Sequence, residues 1–86
     1  MKMTPDQQLA VKQTLKVLNS IGAGLPVNTA FDEAERATGR PIGEGDRKYL
    51  AALMEQEGWI DKHVDDFSGR IIHFITPKGT VAIERL

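Results

Sequence analysis

The chain has 86 residues, 41% of them hydrophobic and 27% charged, which predicts one globular domain over 1–86. Eleven Lys and Arg against twelve Asp and Glu give a net charge of −1, so the overall basic excess of a dedicated nucleic-acid binder is missing. Without cysteine there are neither disulfides nor thiolate metal ligands, and no apolar run approaches the ~18 residues that span a membrane.

A domain this small buries about 60–65% of its unfolded surface, so its core has to be efficient. The first residues, MKMTPDQQLAV, contain no long apolar run and no small-residue cleavage site. A cytoplasmic protein is expected. Met1 to Met3 are expected to fray, and Thr4-Pro5-Asp6-Gln7 then opens a helix. Thr4 caps, Pro5 suits the first helical position, Gln7 completes a capping box, and Asp6 favours the positive end of the dipole. Val11, Leu15 and Leu18 form its apolar stripe, and Gly22 or Gly24 stops it.

Leu25-Pro26-Val27 reads as a loop or a minimal edge strand, where a missing donor is tolerated. Asn28 then caps a second helix with Phe31, Ala34 and Ala37 inward and Gly39 at its end. A breaker-rich connection, Arg40-Pro41-Ile42-Gly43-Glu44-Gly45, leads to a third helix opened at Gly45 or Asp46. Leu50, Leu53, Met54 and Glu57 share one side of that helix, and Lys48, Ala51, Ala52 and Glu55 lie around the other. Trp59–Val64 and Ile71–Ile75 predict two strands, joined through Asp65–Arg70 with the bend at Ser68-Gly69. Thr76-Pro77 repeats the logic of Thr4-Pro5 and starts a short final helix packed through Gly79, Ala82, Ile83 and Leu86.

The expected class is therefore α+β, mainly α: three helices, a C-terminal β-hairpin and a last short helix. This order resembles the winged helix-turn-helix family. The most specific likeness runs from Leu50 to Gly79, where Leu50 and Leu53 lead into Glu57-Gly58-Trp59-Ile60 and the hairpin ends in Ile75-Thr76-Pro77-Lys78-Gly79. Small bacterial regulators of that family end their wing in a similar Thr-Pro-x-Gly turn. The resemblance implies a DNA-binding protein of the transcriptional-regulator kind, with helix 44–57 as the recognition helix in the major groove and the wing on the backbone.

Arg36, Arg40, Arg47 and Lys48 cluster where such a protein meets DNA, and Arg70 is the cation at the hairpin turn. Arginine reads guanine edges in two-pronged geometry, which makes Arg47 the base-reading candidate, while Arg40 and Lys48 position phosphate. The plainer reading is a solvated surface balanced by Glu33, Glu44 and Asp46. Acidic Asp65 and Asp66 beside Arg70 suit a protein partner or an idle turn better than a phosphate backbone.

No cofactor, metal site or enzyme activity is expected. Asp65 and Asp66 are adjacent on extended chain, so they point to opposite faces and do not converge on a cation. A two-residue turn at Ser68-Gly69 sets Val64 opposite His73 and His63 opposite Phe74, which sends the imidazoles to different faces. His73 is expected beside Ile71 and Ile75 with its tip near water. The glycines of GRPIGEG lack the Lys-Ser/Thr of a phosphate loop, and the serines and threonines have plainer roles in caps and turns.

Ile72 and Phe74 share the hairpin's second face, with Trp59. Either the first and last helices cover that face, or Trp59, Ile72 and Phe74 form a protein-partner or homodimer surface. The alternative function is accordingly a protein–protein interaction module on the same fold, using this surface or the small-residue face of Ala51 and Ala52.

Overall fold

The computed structural model describes residues 3–86, so of the terminus expected to fray Met1 and Lys2 lie outside the described residues. Met3 packs against the core. Helix α1 (Pro5–Ile21) begins as its residues dictate. The Thr4 hydroxyl accepts the Gln7 N–H at 3.1 Å, the Gln7 side chain accepts the Thr4 N–H at 3.0 Å, and Gly22 ends the helix at φ 67°. Ala10, Val11, Leu15 and Leu18 form its buried stripe, with Thr14 satisfied by the Ala10 carbonyl at 2.7 Å.

Helix α2 (Val27–Thr38) starts one residue before the expected cap. Pro26 holds the cap position and its carbonyl accepts the Thr29 and Ala30 N–H groups, so Asn28 lies inside the first turn. The reason is the preceding residue. Leu25 is fixed by a pair of backbone hydrogen bonds to His73, of 3.0 and 2.7 Å, and the chain turns into the helix directly after it. The inner stripe is Ala30, Phe31 and Ala34, while Ala37 faces solvent.

Helix α3 (Glu44–Gln56) follows Gly43, earlier than the expected Gly45 or Asp46 start, and buries Leu50, Leu53 and Met54. Ala51 packs against the core, which leaves only Ala52 of the expected small-residue pair exposed. Strands β1 (Ile60–Val64) and β2 (Ile71–Ile75) pair antiparallel, and helix α4 (Pro77–Arg85) closes the described chain. Leu25 bridges β2 on the side away from β1, so it is the minimal edge strand of the two readings given above.

The strand register departs from the two-residue turn. Ile60 faces Ile75, Lys62 faces His73, His63 faces Ile72 and Val64 faces Ile71, so residues 65–70 all belong to the connection. Asp65 and Arg70 close it through a 2.8 Å backbone bond, and Gly69 turns at φ 69°. The slip is two residues, an even number, and side chains alternate with a period of two. Each residue therefore keeps its expected face.

Around Phe31 the core joins Val11, Leu15, Leu18, Leu50, Met54, Ile60 and Ala82. The end of α3, the start of β1 and the start of α4 meet in one knot. The Thr76 hydroxyl donates to the Gly58 carbonyl at 2.5 Å and accepts the Gly79 N–H at 3.1 Å, while the Thr76 N–H reaches the Trp59 carbonyl at 3.0 Å. A Cβ on Gly79 would stand 2.2 Å from the Trp59 carbonyl oxygen. Backbone cannot swing aside as a flexible side chain would.

Gly79→Ala should therefore destabilise by about 3 kcal/mol, at the upper end of overpacking costs. Gly45→Ala, in α3 with nothing within 4 Å, should stabilise by about 0.5 kcal/mol through helix propensity. Urea unfolding followed by circular dichroism measures both.

Candidate nucleic-acid interface

The breaker-rich connection between α2 and α3 is held by Arg47 and by Glu35, a residue with no expected role. Glu35 accepts the Ile42 N–H at 2.5 Å through one carboxylate oxygen and faces Arg47 at 3.1 Å through the other. Arg47 also reaches Asp32 at 2.9 Å, donates to the Ile42 carbonyl at 3.0 Å and to the Asn28 carbonyl at 3.3 Å, and lies 5.5 Å from the centre of the Phe31 ring. Only 17% of its side chain is exposed. Burial alone would lower the Arg47 pKa, but hydrogen bonds and attraction from Asp32 and Glu35 outweigh it and hold the guanidinium above its ordinary value.

The expected base-reading residue is thus consumed inside the fold. Its planar donor fork is aimed at α2 and the connection, because Asp32 and Glu35, one helical turn apart, both face α3. The neighbouring cations are also paired. Arg36 meets Glu33 at 2.5 Å within α2, and Arg40 reaches across to Asp6 at the start of α1. Of the expected balancing carboxylates only Glu33 plays that part. Asp46 instead accepts a hydrogen bond from Gln7 at 3.3 Å. Arg40, Asp6, Asp46, Gln7, Thr4 and Thr38 line a cleft of about 520 Å³ between α1 and the connection.

Lys48 is exposed on α3 and makes no ion pair among the described residues, and the Arg70 side chain is likewise exposed and unpaired. Glu44, Tyr49, Ala52 and Gln56 complete the open side of α3, so its surface carries mixed charge. Among the candidate contacts Arg36, Arg40, Arg47 and Lys48, each arginine stands against a carboxylate.

The hairpin presents a different chemistry. Phe67 is fully exposed at its tip, Val64 is 64% exposed, and Ile71 and Phe74 are about half and one-third open. The sequence reading passed over Phe67, although an aromatic residue inside a polar Asp-Asp…Ser-Gly turn was a signal available to it. The turn is rigidified by Asp65, whose carboxylate accepts the Ser68 hydroxyl at 2.7 Å and the Ser68 N–H at 3.1 Å. These bonds, together with the Phe67 N–H, hold the Asp65 carboxyl below its ordinary pKa. His63 stacks edge-on against Phe74 at 5.2 Å, a diagonal contact of the observed register.

Trp59, Ile72 and Phe74 do not form one surface. Ile72 and Phe74 lie over Gly24, where a Cβ would come within 2.7 Å of both side chains. Trp59 instead faces Pro77, Val81, Ala82 and Leu86 in a groove along α4. His73 also departs from its expected place near water. It is 4% exposed, and its Nε2 meets the Glu55 carboxylate at 2.7 Å while Nδ1 is buried without a partner. Glu55, taken for the outer side of α3, is the clasp between α3 and β2. No group of three or more residues able to hold a metal occurs among the described residues, and no helix there is long and apolar enough to cross a membrane.

Arg47→Ala should cost about 2 kcal/mol, since charged hydrogen bonds are lost and two carboxylates remain. Arg40→Ala, an exposed pair, should change stability by less than about 0.5 kcal/mol; urea unfolding compares the two. Because the Asp65 pKa is lowered in the folded chain, its contribution is full above the ordinary carboxylate range and fades as pH falls through the lowered value. The Ser68 amide resonance should hold steady down to about pH 4 and shift below it, and Asp65→Asn should remove that step.

Comparison with known proteins finds no matching family model and no matching solved structure. The chain is similar to a Bacillus subtilis (strain 168) protein named "Putative dipeptidase YtjP", with 38% identity over 50 residues. That stretch covers 55% of this chain and 11% of the relative.

Proposed function

We propose that the chain is a protein–protein interaction module built on a winged-helix frame, and that binding rather than catalysis is its role. One observation carries this reading: Arg36, Arg40 and Arg47 are each closed into an ion pair with a carboxylate of the same fold. A cation already neutralised releases few counterions on meeting phosphate, so the term that drives most nucleic-acid affinity is small. The Leu25 bridge to β2, followed by two helices and the β1–β2 hairpin, supports the winged-helix frame.

On this reading the hairpin is the docking element. Phe67, with Val64 and Ile71 behind it, is an anchor of the kind that fills an apolar socket on a protein partner, and Asp65 preorganises the turn that carries it. DNA binding is the second reading. It is favoured by Lys48 and Arg70, the two expected contacts that remain exposed and unpaired. The dipeptidase likeness spans about a tenth of that protein, and no reaction is carried over from it.

An amide chemical-shift titration with mixed-sequence duplex DNA separates the readings. No salt-sensitive shifts at residues 40–52 or at Arg70 are expected, even at low salt. Shifts confined to those residues that fade as salt rises would overturn the proposal in favour of DNA. The anchors should also be dispensable for folding: Phe67→Ser should move the unfolding free energy by no more than about 0.5 kcal/mol.

A further inference from the structure

The groove along α4 stands apart from both the α3 surface and the hairpin tip. Its volume is about 570 Å³, and it is lined by Trp59, Pro77, Val81, Ala82 and Leu86 with Glu57, Lys78 and Arg85 at its edges. Ala82 is buried at the floor, Trp59 and Leu86 are half-buried, and Val81 is exposed. Lys78, Val81 and Arg85 are spaced three and four residues apart, so they form one stripe of α4. Seven residues of helix separate the cations by about 10 Å along the axis.

Their electrostatic state differs from that of Arg36, Arg40 and Arg47. Neither Lys78 nor Arg85 makes an ion pair among the described residues. Lys78 lies along the backbone of Gly58, whose φ of 74° favours glycine, and a Cβ there would stand 3.6 Å from its Cδ. Gly58 is in turn fixed by the Thr76 hydroxyl, so the knot between α3, β1 and α4 also shapes the groove's edge. Two cations without an ion pair thus line the groove beside Glu57 and the aromatic and aliphatic carbon of Trp59, Val81 and Ala82.

We infer that this groove binds a short segment of a protein partner in which aliphatic side chains are flanked by carboxylates about 10 Å apart. The aliphatic side chains cover Trp59, Val81 and Ala82, and the carboxylates meet Lys78 at one end and Arg85 at the other. An apolar slot alone would accept any greasy segment; the two unpaired cations select an acidic one. The inference does not depend on the hairpin's role, since the groove shares no residue with the hairpin tip or with the α3 surface.

Trp59 is the chain's single tryptophan, so its fluorescence reports directly on the groove. The probe is a capped synthetic peptide with two leucines between aspartates, titrated into the full chain, beside a control peptide with lysines in place of the aspartates. The acidic peptide should give a saturable blue shift of Trp59 emission that weakens at least fivefold in apparent affinity between low salt and about 0.5 M, where screening is strong. Lys78→Glu with Arg85→Glu should abolish the response while leaving the circular dichroism spectrum unchanged. Should that double variant misfold, Lys78→Gln with Arg85→Gln serves the same purpose. No saturable shift, an equal shift with the lysine peptide, or a response that survives loss of both cations would overturn the proposal. None of these results bears on the DNA titration, so the two proposals fail separately.

Discussion

The Arg47 guanidinium is the polar contact that fixes α3 against α2. It ties the start of α3 to Asp32 and Glu35 of α2, to the carbonyls of Asn28 and Ile42, and to the face of Phe31. Phe31 is a fully buried member of the core, so the polar clasp and the apolar packing meet at one residue. A breaker-rich connection has little helical structure of its own to define its path. Here the path is set by Glu35, which binds the Ile42 N–H and Arg47 at once. A partly buried charge costs stability unless it is paired and hydrogen-bonded, and this one is both.

The same pairing bears on function. The donor fork that would read a base is turned toward Asp32 and Glu35 of the same fold. With Arg36 and Arg40 also paired, the chain's positive charge near α3 is largely spent within the domain. On α3 itself Lys48 stays without an ion pair among the described residues, and so do Arg70 at the hairpin turn and Lys78 and Arg85 on α4. The net charge of −1 was an early sign, yet net charge only sums the residues. Pair geometry decides what a partner meets.

A second junction, around Thr76, couples the hairpin to the body. The Thr76 side chain caps α4 and donates to Gly58, and Gly79 admits the Trp59 carbonyl against the first turn of α4. On the other side of the sheet, His73 binds Leu25 through its backbone and Glu55 through its ring. The base of the hairpin is therefore clamped to α3, α4 and the Leu25 bridge. Its tip carries exposed aromatic and β-branched side chains and is held by hydrogen bonds within the turn, among Asp65, Ser68, Gly69 and Arg70. On the proposed reading, a clamped base below an apolar tip keeps the entropy lost on docking small.

Local chemistry let the sequence determine a good deal by itself. Thr4-Pro5 and Thr76-Pro77 mark helix starts because a capping hydroxyl and a fixed φ act within a few residues, and Gly22 and Gly39 mark helix ends for the same reason. The faces of the hairpin were legible too, since alternation survives a two-residue slip of register. What only the tertiary structure decided are the relations between residues far apart in the chain. Asp6 pairs with Arg40 across 34 residues, and Glu55 with His73 across 18. Trp59 parts from Ile72 and Phe74 because α4 folds back over it. Each of these is set by where whole elements pack, and the packing follows from burial of one shared core, which no local pattern encodes.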